Sequence, residues 1–401
     1  MNDSLMQGAW PEAALSTAGS SDEATVFLLQ QADQHVHARG CRASLPTGAL
    51  ATLAERVAAF FAQQRGGPGL LVGAVPFEPR ADDALYQPER VLPAMRVQPQ
   101  APPALRGALH TEPSAEVYAA AVATAVQALR GTDAGLQKVV LARSLVAHTE
   151  HPLAPDVLLA RLSTDPSVAT YAVPLPVEPG QAPAWLVGAT PELLLRKRGA
   201  QVLSHPLAGS ARRSADPGED QRAAQALLAS RKDHDEHRHV VDAIVAGLAP
   251  WCSHVEAQAQ PVLHATASMW HLGTRIHATL KDASTPAAAL LAELHPTPAV
   301  CGTPRQAALQ RIRELEPVPR GFYAGAVGWL DAQGDGDWYV AIRCARLQGT
   351  QLRLFAGAGI VADSQPQAEV AETAAKFAAL LNALAVQEPS TATGSAQGVS
   401  A

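Results

Sequence analysis

Two pairs of acids, each pair spaced three residues apart, are the part of this sequence best suited to chemistry. Glu369 and Glu372 fall in FAGAGIVADSQPQAEVAETAAK (residues 355–376), and Asp233 and Glu236 in RKDHDEHRHVV (residues 231–241). On a helix that spacing places both acids on one face, and Lys376 follows one turn beyond Glu372. Two such faces brought together build an all-oxygen site for a hard divalent cation such as Mg²⁺, which suits a multiply anionic organic ligand. The competing reading makes all four acids peripheral salt-bridge formers on solvated helix faces. His234 and His237 also admit a zinc reading, but DHDEH is not HExxH, and no later Cys or His follows at a recognisable ligand spacing.

Other residues have chemical potential only if the fold brings them together. Lys138 precedes the apolar run VVLA, and Glu192 sits in GATPELLL after a proline. Either alone reads as an ordinary strand-end lysine or turn carboxylate. Converging in one cavity, a desolvated lysine accepts a proton from water while a glutamic acid gives one to a leaving hydroxyl. PLAGSARR offers an anion-binding turn, with Gly209 allowing close backbone approach and Ser210 a hydroxyl donor, whereas Arg212 and Arg213 read equally as surface charges. Arg343 lies inside what reads as one apolar strand, YVAIRCARL, and needs an anionic partner if it points inward. AGAG (356–359) exposes backbone donors but is too short to diagnose phosphate binding.

The elements that must carry these residues follow from periodicity and turn chemistry. The spacing predicts helices over 50–65, 114–130 (capped by Ser114), 157–165, 285–295 and 367–384, and one long helical stretch over 216–251. It predicts strands over 69–77, 137–149 and 169–176, paired strands over 184–209 with a turn near 197–199, and a strand-like segment over 265–280. Three further strands follow over 321–330, 336–349 and 350–361. Residues 78–114 are proline-rich connections, 1–20 a loose leader and 386–401 a flexible tail. Strands in series outnumber helices, which favours large mixed sheets flanked by helices. No GxGxxG follows a strand and no Walker A sequence is present, so the usual nucleotide signatures are missing.

Composition narrows the class. A chain of 401 residues with 47% apolar content buries a substantial core. A net charge of -6 with no long basic run, and only 4% aromatics, argues against nucleic acid. Cys41, Cys252, Cys301 and Cys344 are widely spaced and read as free thiols in a reducing cytoplasm. The N-terminus lacks a secretory pattern, and no apolar run reaches the ~18 residues of a membrane span.

Taken in order, KVVLAR, GATPELLL, HPLAGSARR, KDHDEH, WHLGTRI, HPTPAVCGTP, WYVAIRCAR and AGAGIVADSQPQAEVAETAAK resemble the isochorismate synthases, within the chorismate-utilising family that includes anthranilate and salicylate synthases. The blocks span roughly residues 115–385. The resemblance implies an α/β (α+β) fold, one large catalytic domain over 21–385 with two mixed sheets packed together, and an internal Mg²⁺ cleft. It implies Lys138 as base, Glu192 as acid, Glu236 and Glu372 as Mg²⁺ ligands, and Asp233 and Glu369 behind them. Gly209, Ser210, His271, Ala299, Arg343, Gly359 and Lys376 become substrate contacts. The implied substrate is chorismate, isomerised to isochorismate without a redox cofactor, by a monomer with no glutaminase subunit, in siderophore synthesis, with menaquinone or salicylate pathways as the alternatives. Lys138, where anthranilate synthases typically carry glutamine, and the HPTPAVCGTP block favour isochorismate formation over anthranilate or salicylate synthesis. A catalytically silent chorismate- and Mg²⁺-binding protein is the reading from another class.

Overall fold

A computed structural model describes residues 27–31, 34–64, 66–93, 100–131 and 135–386. The expected leader over 1–20 lies outside the described residues, and so does the expected tail from residue 387 onward. Two large sheets, of ten and nine strands, are joined by a third of three strands. Every strand pairing among the described residues is antiparallel. Helices Ala115–Arg130, Pro155–Leu162, Arg305–Leu315 and Pro366–Ala383 pack on the ten-stranded sheet; Leu53–Gln63, Arg231–Leu248 and Ala287–Leu294 belong to the nine-stranded one. This is the α/β architecture of two large sheets flanked by helices that the resemblance implies.

Side-chain alternation divides the core into two layers. Phe27, Tyr171, Leu186 and Phe355 of the ten-stranded sheet share one cluster with Val72, Leu195 and Trp338 of the nine-stranded sheet. The opposite face of the ten-stranded sheet, with Leu145, Leu347, Leu352 and Leu354, packs on Leu158, Phe377 and Leu380 of its helices. Ser114 caps Ala115–Arg130 as expected, accepting a hydrogen bond from the Val117 amide.

The chain passes between sheets through very short linkers. Pro191 and Glu192 lie between Ala184–Thr190 of the ten-stranded sheet and Leu193–Arg198 of the nine-stranded one. Pro206 leads from Gln201–His205 into Leu207–Arg212 of the small sheet, and Thr274 and Arg275 lead back from Met269–Gly273 to Ile276–Leu280. Residues 341–343 join Gly336–Val340 of the nine-stranded sheet to Cys344–Gln348 of the ten-stranded one.

These crossings and one helix break correct several expectations, among them the strand-like segment over 265–280, which is two strands in different sheets. The single strand over 336–349 is two strands in different sheets, broken where Arg343 takes a left-handed φ of 51°. That conformation is uncommon for a residue with a Cβ, and no Gly or Pro announces it. Within 184–209, only Leu193–Arg198 and Gln201–His205 pair with each other. The long helical stretch is two helices, Pro217–Ala229 and Arg231–Leu248, because Ser230 is extended and caps the second, its hydroxyl accepting from the Asp233 amide at 3.2 Å. The sequence reading passed over Arg305–Leu315, although Ala308, Leu309 and Ile312 form a helical apolar stripe.

Candidate active site

The linkers, helices Arg231–Leu248 and Pro366–Ala383, and strands Leu207–Arg212, Met269–Gly273 and Gln351–Ile360 enclose one cavity between the sheets. Its walls include Glu192, Gly209, Ser210, Glu236, His271, Ala299, Arg343, Gly359, Glu372 and Lys376. Ten residues that the sequence distributes over more than 180 positions therefore meet at one place. Lys138, Asp233 and Glu369 do not line it; they stand behind the carboxylates that do.

Three glutamate–lysine pairs organise the acidic wall. Lys138, the first residue of strand Lys138–His148, is fully buried, with Nζ 3.0 Å from Glu236 Oε1 as an ion pair rather than an aligned hydrogen bond. Lys376 Nζ donates to Glu372 Oε1 at 2.6 Å and to the Gly357 carbonyl at 2.9 Å. Lys232 Nζ donates to Glu369 Oε1 at 2.8 Å. Lys232 sits inside the KDHDEH block, but its role was not read there. The expected link between Glu372 and Lys376 one turn apart is present.

The electrostatics differ from one carboxyl to the next. Burial alone would raise Glu236, but Lys138, Lys376 and Lys232 outweigh it and hold its pKa below the usual value. Burial, then repulsion from Glu372, raises Glu369. Burial likewise raises Asp233, against its hydrogen bond with Ser230 and with the help of Glu236. Glu192 differs most: burial pushes its carboxyl up to about 8, against a backbone hydrogen bond with Leu207 and the charges of Lys138, Arg343 and Lys376. It is therefore a neutral acid at pH 7.

Opposite the acids lie polar groups awaiting partners. Ser210 Oγ and His271 Nε2 are buried without a hydrogen bond. The other ring nitrogen of His271 bonds the Gly209 backbone, and burial holds the imidazole neutral, well below 6.5. That leaves Nε2 as an acceptor for a ligand hydroxyl. The Arg343 guanidinium, aimed by its left-handed backbone, has no ion pair among the described residues. Ala299, Val300, Tyr323 and Phe355 supply an apolar wall, with Tyr323 and Phe355 stacked at 4.9 Å between centroids. The sequence reading assigned no role to the last two.

Two glycines are required by close approach. A Cβ at Gly359 would collide with the Glu236 carboxylate and lie 3.1 Å from Lys138 Cε. At Gly209, φ is +76° and a Cβ would come 2.9 Å from that of Asp233.

The zinc reading fails on geometry. His234 bonds the Leu228 carbonyl on the surface, whereas His237 is buried against the Thr274 hydroxyl at 2.7 Å. Among the described residues, no group of three or more His, Cys, Asp or Glu side chains forms a ready cage. All four cysteines are unpaired, and no described helix is long and apolar enough to cross a membrane.

A fold of paired large sheets around a cavity with carboxylates on one wall and anion donors on the other defines a class, and the comparisons give it a family. Residues 78–385 match the model of the chorismate binding enzymes. The isochorismate synthase DhbC of Bacillus subtilis is 44% identical over 324 residues, covering 79% of this chain and 81% of that protein. EntC, the isochorismate synthase of Escherichia coli, is 40% identical over 342 residues, covering 82% and 85%. The crystal structure of a putative 2,3-dihydroxybenzoate-specific isochorismate synthase from Bacillus anthracis aligns with a TM-score of 0.84 at 37% identity, covering 94% of this chain and all of that one. The chain belongs to the chorismate-binding enzyme family.

Proposed function

We propose that this protein interconverts chorismate and isochorismate with Mg²⁺. The observation that carries the reading is the neutral, buried Glu192 carboxyl, placed in the same cavity as the unpaired Arg343 guanidinium and the lysine-balanced pair Glu236 and Glu372. Chorismate carries two carboxylates and a ring hydroxyl. Arg343, Ser210 and the backbone at Gly209 and Gly359 receive carboxylate oxygens, and His271 Nε2 accepts from a hydroxyl.

For Lys138 to take a proton from the water that attacks ring C2, it must first give up the proton it holds in the Glu236 ion pair, and the attacking water must reach it past the Glu236 carboxylate in front of it. Glu192 delivers its proton to the departing C4 hydroxyl, and the ring double bonds shift between the two positions. One water enters and one leaves, so no oxidant is needed. A carboxyl kept neutral at pH 7 by burial suits the acid role, which ordinarily contributes ~10²–10⁴-fold to rate. Isochorismate retains both carboxylates, so the same anion contacts serve the reverse reaction.

The residues present fit a magnesium ion. Glu236 and Glu372 face the cavity from two different helices, and each engages a lysine through Oε1. Mg²⁺ binds through one or two carboxylates and completes its shell with water and ligand oxygens, so a three-residue cage is not required. Glu236 and Glu372 would hold it, with Asp233 and Glu369 shaping their surroundings. When bound, the ion supplies positive charge to the ring carboxylate.

We place it in siderophore synthesis on the HPTPAVCGTP block; the names of relatives are mixed, with a vibriobactin-specific isochorismate synthase at 38% identity beside a putative isochorismate synthase MenF of Mycobacterium tuberculosis at 44%. We expect a monomer without a glutaminase subunit. The test is direct. Metal-stripped protein receives chorismate and then Mg²⁺, and products are followed by chromatography. Isochorismate formed without ammonia or pyruvate is the expected result. A folded, Mg²⁺-loaded sample that makes none refutes the proposal, and stoichiometric pyruvate with salicylate replaces it by salicylate synthesis.

A further inference from the structure

A second cavity, of about 300 Å³, backs onto the first and shares Tyr323 and Phe355 with it. It lies at the inner face of the ten-stranded sheet. Leu186, Arg346, Arg353 and Val146 stand directly opposite one another across four neighbouring strands. Leu186 belongs to the core between the large sheets, so the two arginines occupy a row where apolar side chains are expected. Like charges directly opposite on a sheet are destabilising.

The charges around this cavity do not cancel. Arg353 is balanced by Glu112 at 2.6 Å and also donates to Ser144 Oγ at 2.8 Å. Arg320 pairs with Glu316 at 2.5 Å and bonds the carbonyls of Val140 and Val300. Arg346, partly buried, has no hydrogen bond or ion pair among the described residues, and burial and Arg353 both disfavour its charge. The remaining lining is mostly apolar, including Pro176, Pro319 and Phe322. A cavity of this size with one uncompensated guanidinium and apolar walls has the features of a small-molecule site. Arg343 presents the same unpaired guanidinium to the active site.

We propose that this cavity binds a small aromatic carboxylic acid, its carboxylate on Arg346 and its ring between the prolines and Phe322. The site goes beyond the proposed activity and does not depend on it. The destabilising arginine pair is then kept for binding, in the way that functional residues often cost stability.

The test uses the whole protein and benzoate as probe, with benzamide and inorganic phosphate for comparison, in calorimetric titrations at low salt. Wild type is expected to bind benzoate, and Arg346→Gln to bind it at least about tenfold more weakly, the loss expected for a charge-assisted hydrogen bond. Benzamide and phosphate should each bind more weakly than benzoate, since one lacks the charge and the other the ring. Equal benzoate affinity in Arg346→Gln, or no binding to wild type, overturns the proposal. So does phosphate binding as tightly as benzoate. A second variant guards against a hidden structural role. Without ligand, Arg346→Met should melt at or above the wild-type temperature, because an unpaired charge leaves an apolar face; a clear fall in Tm would show that Arg346 serves the fold and refute the assignment. Both readouts are binding or stability measurements, so failure of isochorismate formation would leave them interpretable.

Discussion

Replacing Glu192 by Gln separates two consequences of one buried carboxyl. The residue is 2% exposed, and its folded pKa of about 8 lies above the ordinary 4.5. For a group whose pKa is raised on folding, the stabilising contribution is complete below the unfolded pKa and is lost as pH rises through the folded one. Between pH 4.5 and 8 the unfolded chain ionises while the folded one stays neutral, so Glu192 progressively destabilises the fold. At about 1.4 kcal/mol per unit, the penalty is about 3 kcal/mol at pH 7 and levels off near 5 kcal/mol above pH 8. Gln has nearly the same shape and no ionisation. In metal-free protein, urea denaturation should therefore find Glu192→Gln more stable at pH 7 by up to about 3 kcal/mol, with the advantage vanishing near pH 4. Turnover should move the opposite way, falling by ~10²–10⁴-fold with the acid removed. If wild type and variant show parallel stability profiles from pH 4 to 8, the carboxyl is ionised in the fold, and the argument for a neutral acid is wrong. Near-wild-type turnover would remove it from the mechanism altogether.

Gly359→Ala should fold normally yet lose activity, by about 10²-fold, because the new methyl displaces the Glu236 carboxylate and with it the Lys138 pair; an unchanged kcat with unchanged Mg²⁺ dependence would refute the role given to that contact. Arg320→Ala leaves Glu316 buried and uncompensated and frees the carbonyls of Val140 and Val300, so urea denaturation should report a loss of about 3–5 kcal/mol. A midpoint unchanged from wild type would count against the buried pair.

Local signals in the sequence suffice for most elements and for singling out Glu192, Glu236, Arg343 and Glu372, whereas His271 and Ala299 enter only through the family resemblance. Ser114 announced its helix, and the acids three apart do share helix faces. What local signals could not supply was membership of a sheet. The apolar run WYVAIRCAR continues evenly through Arg343, yet the chain there leaves one sheet for another. Strand periodicity reports which side is buried, not which neighbour pairs. The same limit hid Tyr323 and Phe355, whose aromatic character fits any core, and Lys232, whose partner Glu369 lies 137 residues away. Lys138 reads as a strand-end lysine by default because nothing in its own stretch signals that it is fully buried beside Glu236 and Gly359.

The crossings and the charges explain each other. Within a ladder the backbone is fully paired and side chains are held against the next layer, leaving little room for a ligand. At a linker between sheets the backbone turns freely and its side chain projects into the gap between layers. Glu192 and Arg343 occupy two such linkers, each joining the two large sheets in opposite senses, so they meet across the same gap. Around them the three glutamate–lysine pairs sum to zero, and with Glu192 neutral the charges left are Arg343 and, behind Glu236, the Asp233 carboxylate that bonds Ser230 rather than a lysine. The site by itself therefore offers a dianion no net positive charge. Under the proposed function, a divalent cation on Glu236 and Glu372 makes up the deficit, and the metal requirement then follows from the charge balance of the site as well as from the presence of carboxylates.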